Sequence, residues 1–485
     1  MASIYNYVSF SAARQELANR LYDSLKQFWS DTELKSLLLE ALRTWNAMTS
    51  YWKNDFTFSS QQNVMWYDLT DAINLPNTLR PFTIGVGIYP DIQFALLEPA
   101  TGIFWPGVST QFTADDLINA VSRRQDEILS ITGCTTTRRL IPAVNGRITL
   151  PDTVIDVRRI AYLPASGSSS NLYGVGLYGA GLYPLPVIGL PSTMWPSDAW
   201  DQESFVPLYL QNAAGTPLTY LLSVQPPISF DVDRAPGFSG SYELLTVESA
   251  SGQALGTNTY GSGFYGAGSY GGGAFVSIPD DWFHLVKWGA LADMLSRDAN
   301  AADPLRAQYC EMRYRMGLRL LSIAPALLAI RNNNMLLQID SVRNADLFNP
   351  SWEGAAPGNP SIVYHSGLNL IAVLPPPPNT GPYVLTATVV QNAPVPVLDS
   401  DFIQMAREDY DAILDYSEHI ALFKSGGAEF TDSMPLLKRF LSQAQLYNAK
   451  LSEMGEYTSV LYNLSQLQEE TAPRMAPAGE GGGGS

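Results

Sequence analysis

IPDDWFHLVKWGALADMLSRDANAADPLRAQYCEMRYRMGLRLL, residues 278–321, reads as two helices separated by a short acidic break. Asp280 and Asp281 open the first, where negative charge complements the positive end of the helix dipole. Asp303 followed by Pro304 opens the second. Aspartate caps free N–H groups there, and proline suits the first helical position. In that second helix Tyr309, Met312, Met316 and Leu320 recur at helical spacing and form one apolar stripe.

Working back toward the N-terminus, Ser30 with Glu33 three residues on forms a capping box. The helix it opens, DTELKSLLLEALRTWNAMTSYW, carries Leu34, Leu38, Ala41, Leu42 and Trp45 on one face. Before it, Leu17, Leu21, Leu25 and Phe28 fall at steps of four, four and three, which predicts a helical stripe within residues 1–30. FTFSSQQNVMWYDLT alternates and predicts a β-hairpin of Phe56–Phe58 with Val64–Leu69. A helix, DDLINAVSRRQDEILSITGC, opens at Thr113 with Asp116, buries Leu117, Val121, Ile128 and Ile131, and stops at Gly133. Strands are expected over 138–164 and again from Phe205 to Val247.

Toward the C-terminus, residues 350–398 are Pro-rich, with short strands between turns. A helix follows Asp399 and ends at Gly426-Gly427, and a second begins MPLLKRFLSQAQLYNAKLSEM. The fold class is therefore α+β: a helical bundle interrupted by a β-rich region with long loops, plus a C-terminal extended and helical module. Six parts are expected. They are N-terminal helices with β-hairpins (1–164), a β-rich region with Tyr/Gly repeat loops (165–275), core helices (276–349), the Pro-rich segment (350–398), an acidic helical hairpin (399–470) and a Gly-rich tail (471–485).

The chain has 485 residues, of which 46% are hydrophobic and only 15% charged, so whole-chain disorder is excluded. Twenty-nine basic against 46 acidic residues leave a net charge of −17. A sequence-independent DNA binder needs clustered Lys and Arg, which the chain lacks, although an acidic wall can surround DNA without holding it. Cys134 and Cys310 form no CxxC and fit buried thiols, with one bridge between them as the alternative. The opening MASIYNYVSFSAARQ has neither the basic start nor the apolar block of a secretory leader. The longest apolar run, from Leu320 to Ile330, contains Pro325 and is too short to span a bilayer.

Candidate chemistry is sparse. His284, His365 and His419 belong to no metal-binding motif. Asp415 and His419 stand four apart on one helix face and could share a metal, but a solvated i,i+4 pair is the expected reading. The acid pairs Asp115-Asp116 and Asp280-Asp281 stand at helix starts and need no catalytic explanation. Neither a nucleophile elbow nor a Walker loop is present, so no enzyme activity, cofactor or metal is expected.

Two features point to protein contacts instead. Five-residue repeats, LYGVG-LYGAG-LYPLP and TYGSG-FYGAG-SYGGG, place Tyr173, Tyr178, Tyr183, Tyr260, Tyr265 and Tyr270 in Gly-rich loops free of Lys and Arg. Phosphate binding is disfavoured there, and contact with a neighbouring subunit is preferred. Three basic doublets, Arg123-Arg124, Arg138-Arg139 and Arg158-Arg159, either meet an acidic partner or pair with local acids.

The order of helix, hairpin, DDLINAVSRRQDEILSITGC, a long β-rich excursion and then residues 278–321 resembles the head-to-tail connector (adaptor, or neck) proteins of tailed bacteriophages. WSDTELKSLLLEALRTWNAMTSYW is similar to that family's first helix, and about 330 residues take part in the likeness. The resemblance implies a homo-oligomeric ring, usually of twelve subunits, beneath the portal protein. It also implies a tail or nozzle protein on the other side, DNA passing through the channel without specific binding, and a virion location at the head–tail junction after assembly in the host cytoplasm. Residues 165–200, 248–275 and 350–485 extend beyond the smaller members of that family and read as additions. The alternatives are another tail component, such as a baseplate or fibre-attachment protein contacting its partner through the Tyr/Gly loops, and a virion-borne cell-wall hydrolase. The second would need a clustered acid, histidine or cysteine site.

Overall fold

The computed structural model describes residues 7–74, 91–92, 95–96, 114–143, 147–164, 192–196, 217–225, 227–233, 240–249, 278–297, 303–324, 327–333, 335–378, 383–394, 396 and 398–453. Its architecture is α+β, with one large helical core and three sheets.

The core is built from helices that enclose their predicted stripes. Helix α1 (Phe10–Arg20) is capped by Ser9. Helix α2 (Asp31–Thr49) carries the capping box of Ser30 and Glu33 and buries Leu34, Leu38, Ala41, Leu42 and Trp45. Its last turn closes at Ser50, which takes a left-handed φ of 49°. Two strands, β1 (Lys53–Ser59) and β2 (Trp66–Asp68), follow, and then the short α3 (Thr70–Asn74). Helix α4 (Ala114–Thr132) buries Leu117, Val121 and Ile128 and ends at Gly133 with φ +57°. Ile131 is 53% exposed, so the buried stripe of α4 stops one turn early. Helix α5 (His284–Leu295) follows a 3-10 turn at Asp280–Trp282, and α6 (Pro304–Ile323) is capped by Asp303 with Pro304 in its first turn. Later in the chain, α8 (Arg407–Ser425), α9 (Gly427–Asp432) and α10 (Met434–Glu453) pack into the same core.

The stripe predicted through Leu25 and Phe28 is corrected here. Helix α1 ends at Arg20, and Leu25 and Phe28 face solvent at 78% and 46% exposure. Asp23 is the physical reason. Its carboxylate accepts hydrogen bonds from the backbone N–H groups of Gln27, Phe28 and Trp29 at 2.8, 2.8 and 2.9 Å, which gives the chain an alternative to helical bonds.

The expected hairpin of Phe56–Phe58 with Val64–Leu69 is also corrected. Strand β1 instead runs antiparallel to β15 (Val384–Val390), and Phe56 lies opposite Ala387. Strand β2 pairs with β14 (Leu370–Leu374). The first sheet has the order β1-β15-β10-β11, with β10 Leu327–Asn332 and β11 Met335–Leu336. In the second, β12 (Gln338–Ser341) runs parallel to β13 (Ile362–Ser366), and the order is β12-β13-β14-β2. Apolar residues from the two sheets, including Ile330, Leu385, Val389, Val363 and Val373, share one core with Leu69 and Ile73 beside α3. The Pro-rich stretch thus supplies three strands, two of which pair with strands from the chain's first 70 residues.

The third sheet uses the β-rich middle of the chain. Its strands are β3 (Thr137–Pro142), β4 (Ile148–Thr149), β5 (Val154–Pro164), β6 (Ser192–Pro196), β7 (Thr219–Ser223), β8 (Ser229–Val232) and β9 (Gly240–Glu248), in the order β3-β9-β5-β6-β7-β8-β4. Tyr162, Phe230, Tyr242 and Leu244 lie in its own core. A small cluster around Trp352, with Leu245 from β9 and Leu370 and Ala372 from β14, joins it to the second sheet beside α7 (Val342–Phe348).

Candidate functional site

Five of the six doublet arginines bond to acids of their own chain across the joints between elements. Arg124 on α4 bonds to Asp293 on α5 at 2.6 and 2.9 Å, to Glu311 on α6 at 3.2 Å and to Glu127 at 3.0 Å. Burial opposes its charge, but these carboxylates raise the guanidinium pKa further. Arg123, 65% exposed, pairs with the same Asp293. In the third sheet Arg138 bonds to Glu243 at 2.6 Å and Arg139 to Glu248 at 2.7 Å. Arg158 pairs with Asp156 two residues away at 2.9 Å, a local contact.

Arg159 is the centre of a buried node. Its side chain, 4% exposed, bonds to Asp346 at 2.9 Å, Glu243 at 2.9 Å and Glu353 at 2.8 Å. Thr193 accepts a further bond from it, and Trp352 Nε1 donates to Asp346. Arg159 is therefore enclosed by its own chain and offers nothing to a partner, which removes it from the interface candidates. Glu353 is held well above the usual carboxyl range. Burial is the largest cause, and the neighbouring Glu243 adds to it against the pull of Arg159.

A second node lies in the helical core and was not anticipated. Glu40 of α2 is 1% exposed, and both of its oxygens are engaged. Lys287 Nζ donates to one at 2.6 Å and Trp288 Nε1 to the other at 2.9 Å. Arg313 of α6 donates to the hydroxyl of Tyr416 on α8, which lies 3.5 Å from Glu40. Burial is the largest influence and would raise the Glu40 carboxyl, but Lys287, His284 and Arg313 together bring the group below its ordinary range. Close by, Asp91 accepts from Ser36, and burial lifts its carboxyl to about 6. The sequence did carry a signal for this node. Glu40 interrupts LLLEAL and Lys287 interrupts FHLVKWGAL, and a charge inside an apolar run marks a buried partner.

Asp280 and Asp281 do not act as helix caps. No side chain caps the 3-10 turn. Asp281 instead accepts from the Ala393 backbone N–H at 2.9 Å and from Asn46 Nδ2 at 2.5 Å, and burial lifts it to about 7. Asn46 also donates to Gln391 O and accepts from Trp52 N–H, so this joint ties α2 to one end of the β1–β15 pair, where the start of β1 meets the end of β15.

His284 and His419 are enclosed, whereas His365 on β13 is exposed. His419 Nδ1 meets Ser433 Oγ at 2.8 Å and Nε2 meets Tyr309 O–H at 2.7 Å. Ser433 donates onward to Phe430 O, so His419 Nδ1 carries the proton and Tyr309 donates to Nε2. Burial drops the pKa of His419 to about 3. Asp415 instead pairs with Arg20 at 3.0 Å and Arg439 at 3.3 Å, and both residues are buried, so the expected solvated i,i+4 pair of Asp415 and His419 is corrected and the two share no partner. Cys134 and Cys310 are buried free thiols rather than a bridge. Among the described residues no group of three or more His, Cys, Asp or Glu is placed to hold a metal ion, and no helix is long and apolar enough to cross a membrane. Tyr173, Tyr178, Tyr183, Tyr260, Tyr265 and Tyr270 lie outside the described residues.

Chemically, these nodes fasten elements together. Each joins segments distant in sequence, and the acids of Glu40 and Asp346 have their oxygens occupied by the protein itself. No protein-family model matches the chain, and no curated protein is recognisably similar to it.

Proposed function

We propose that the chain is a structural subunit of a tailed-phage virion, forming a ring that joins the portal to the tail and lets DNA pass. The observation that carries this reading is the way the segments of the resemblance come together. Helices α2, α4, α5 and α6, drawn from residues 31–323, pack into one core, fastened by Glu40–Lys287 and by Arg124 with Asp293 and Glu311. A subunit that bears load in a closed ring needs such internal bracing.

Electrostatics support the same reading. With the doublet arginines engaged by carboxylates of the chain, they form no free basic track, and the net charge is −17. Phosphates sliding past such a wall meet little to grip them. In this reading the protein performs no reaction and needs no cofactor. Its partners are copies of itself, a portal protein above and a tail or nozzle protein below.

The test is the mass of the assembled species together with a low-resolution image of purified particles. A ring of about twelve copies at the portal vertex is the expected result. Trimers at the distal tail would transfer the protein to the baseplate or fibre-attachment class.

A further inference from the structure

The turn between α1 and α2 holds apolar groups out in solvent. Tyr22 is 99% exposed, Leu25 78% and Phe28 46%. Its shape is fixed. Tyr22 and Lys26 take left-handed φ values of 56° and 55°, which non-glycine residues adopt only where surrounding bonds enforce it. The Asp23 carboxylate supplies those bonds through three backbone N–H groups, and Lys424 donates to Phe28 O while lying 4.5 Å from the Phe28 ring centroid. A backbone already held in place loses little freedom on binding, so the turn is a preorganised platform for these side chains. Its surroundings are acidic on balance: Arg20 is shared among Asp411, Asp415 and Glu418, Asp415 also holds Arg439, Lys26 is taken by Asp31, and Lys424 by Glu33. Anionic lipid and nucleic-acid phosphate are repelled by such a collar.

Apolar groups are also exposed at two separate places within residues 327–348. Met335 and Leu336 at the tip of the β10–β11 hairpin are 48% and 64% exposed, and Leu347 and Phe348 at the end of α7 are 56% and 86% exposed. Arg331 and Arg343 are exposed in the same stretch, and neither has an ion-pair partner among the described residues. One surface is apolar with acidic surroundings. The other, at the end of α7, is apolar beside the exposed Arg343, which has no ion-pair partner among the described residues.

We infer that the Tyr22–Leu25–Phe28 turn docks on the Arg343–Phe348 surface of a second copy of this chain. Two different patches of one chain meeting each other make a head-to-tail contact, which closes into a ring or continues as a filament. Opposite charge at the rim sets the register. The inference deepens the ring reading by naming the faces that meet. Three side chains are too few for a whole interface of roughly 800 Å² per partner, so they are its anchors rather than its extent.

The test uses the full chain and two exposed-site variants, Leu25→Glu and Phe348→Glu, with circular dichroism to verify unchanged folding. Sedimentation of the wild type should show oligomers larger than dimers. Each variant alone should associate roughly thirtyfold more weakly or worse, as expected for a central anchor. An equimolar mixture of the two should form dimers and nothing larger, because it retains one intact turn and one intact receiving face. Full assembly by either variant would overturn the contact while leaving a ring built through other faces. A wild type that stays monomeric at every concentration, or that binds lipid vesicles through Leu25 while monomeric, would overturn it as well.

Discussion

Glu40 and Lys287 illustrate how much a single residue carries in this molecule. Both are enclosed, 1% and 4% exposed, and each is the other's counter-ion at 2.6 Å. A buried pair of this kind is costly to break, because the remaining charge stays desolvated without a partner. Lys287→Met should therefore destabilise the fold by about 3–5 kcal/mol. The double variant with Glu40→Leu should recover much of that loss, and denaturant titrations of both variants measure the coupling. Asp281 gives a pH signature of opposite origin. Its folded pKa, about 7, stands above the ordinary aspartate value of 3.8 because burial penalises the charged form. Such a group contributes stability that is full below its unfolded pKa and is lost as pH rises through the folded one. Asp91 and Glu353 are raised in the same direction, so the three act together. His284 and His419, both held near 3 by burial, oppose this trend up to the ordinary histidine value of 6.5, so the denaturation midpoint should fall most clearly as pH rises from about 6.5 to 8. Asp281→Asn should flatten that slope, whatever it does to the midpoint at one pH.

At the scale of elements, helix pairs are set by close approach as well as by stripes. A Cβ added at Gly317 on α6 would stand 1.9 Å from Leu285 Cδ2 on α5, and Leu285 is itself buried. Gly317→Ala should separate the helices and destabilise the fold by about 1–3 kcal/mol, the usual cost of overpacking, read as a lower midpoint in urea. Helices were the most legible elements in the sequence, since capping chemistry is local: Ser30 with Glu33 and Asp303 with Pro304 marked their helix starts correctly. The turn after α1 was not legible, because the stripe through Leu25 and Phe28 kept its spacing while Asp23 diverted the backbone bonds that a helix would need. Strands were legible as strands but not as pairs. Phe56 and Trp66 belong to different sheets, and their partners Ala387 and Ala372 stand more than 300 residues away. Nothing within a short alternating segment encodes a partner at that distance. The buried nodes were half legible. Glu40 and Lys287 carried a readable signal, charges in apolar runs, that the sequence reading passed over, whereas the doublet of Arg158 and Arg159 looked uniform and divided into a local exposed pair and an enclosed hub.

Across the whole molecule, the ends of the chain are interleaved, and this decides what a fragment can do. Residues beyond 350 read in sequence as an addition, yet β15 is flanked by β1 on one side and β10 on the other. Strand β14 likewise lies between β13 and β2. In the helical core, Trp45 of α2 packs on Phe440 of α10, and Trp288 of α5 on Phe423 of α8. Truncation at residue 349 would therefore remove one inner strand from the first sheet, both inner strands from the second and two long helices from the main core, exposing Trp45, Trp288 and Val363's former neighbours Leu69 and Ile73 to water. Apolar burial of that extent cannot be replaced by the remaining chain, since each large buried side chain contributes about 1.5–3 kcal/mol and net stability is only about 5–15 kcal/mol. The fragment 1–349 should lack a cooperative unfolding transition and should be cut rapidly by protease within α2 and α5. The third sheet, with its separate core of Tyr162, Phe230 and Tyr242, is the part expected to resist longest. A fragment that retained native helix content and a sharp transition would show that residues 350–485 are an appendage after all, and that the pairing of β1 with β15 contributes little to the fold.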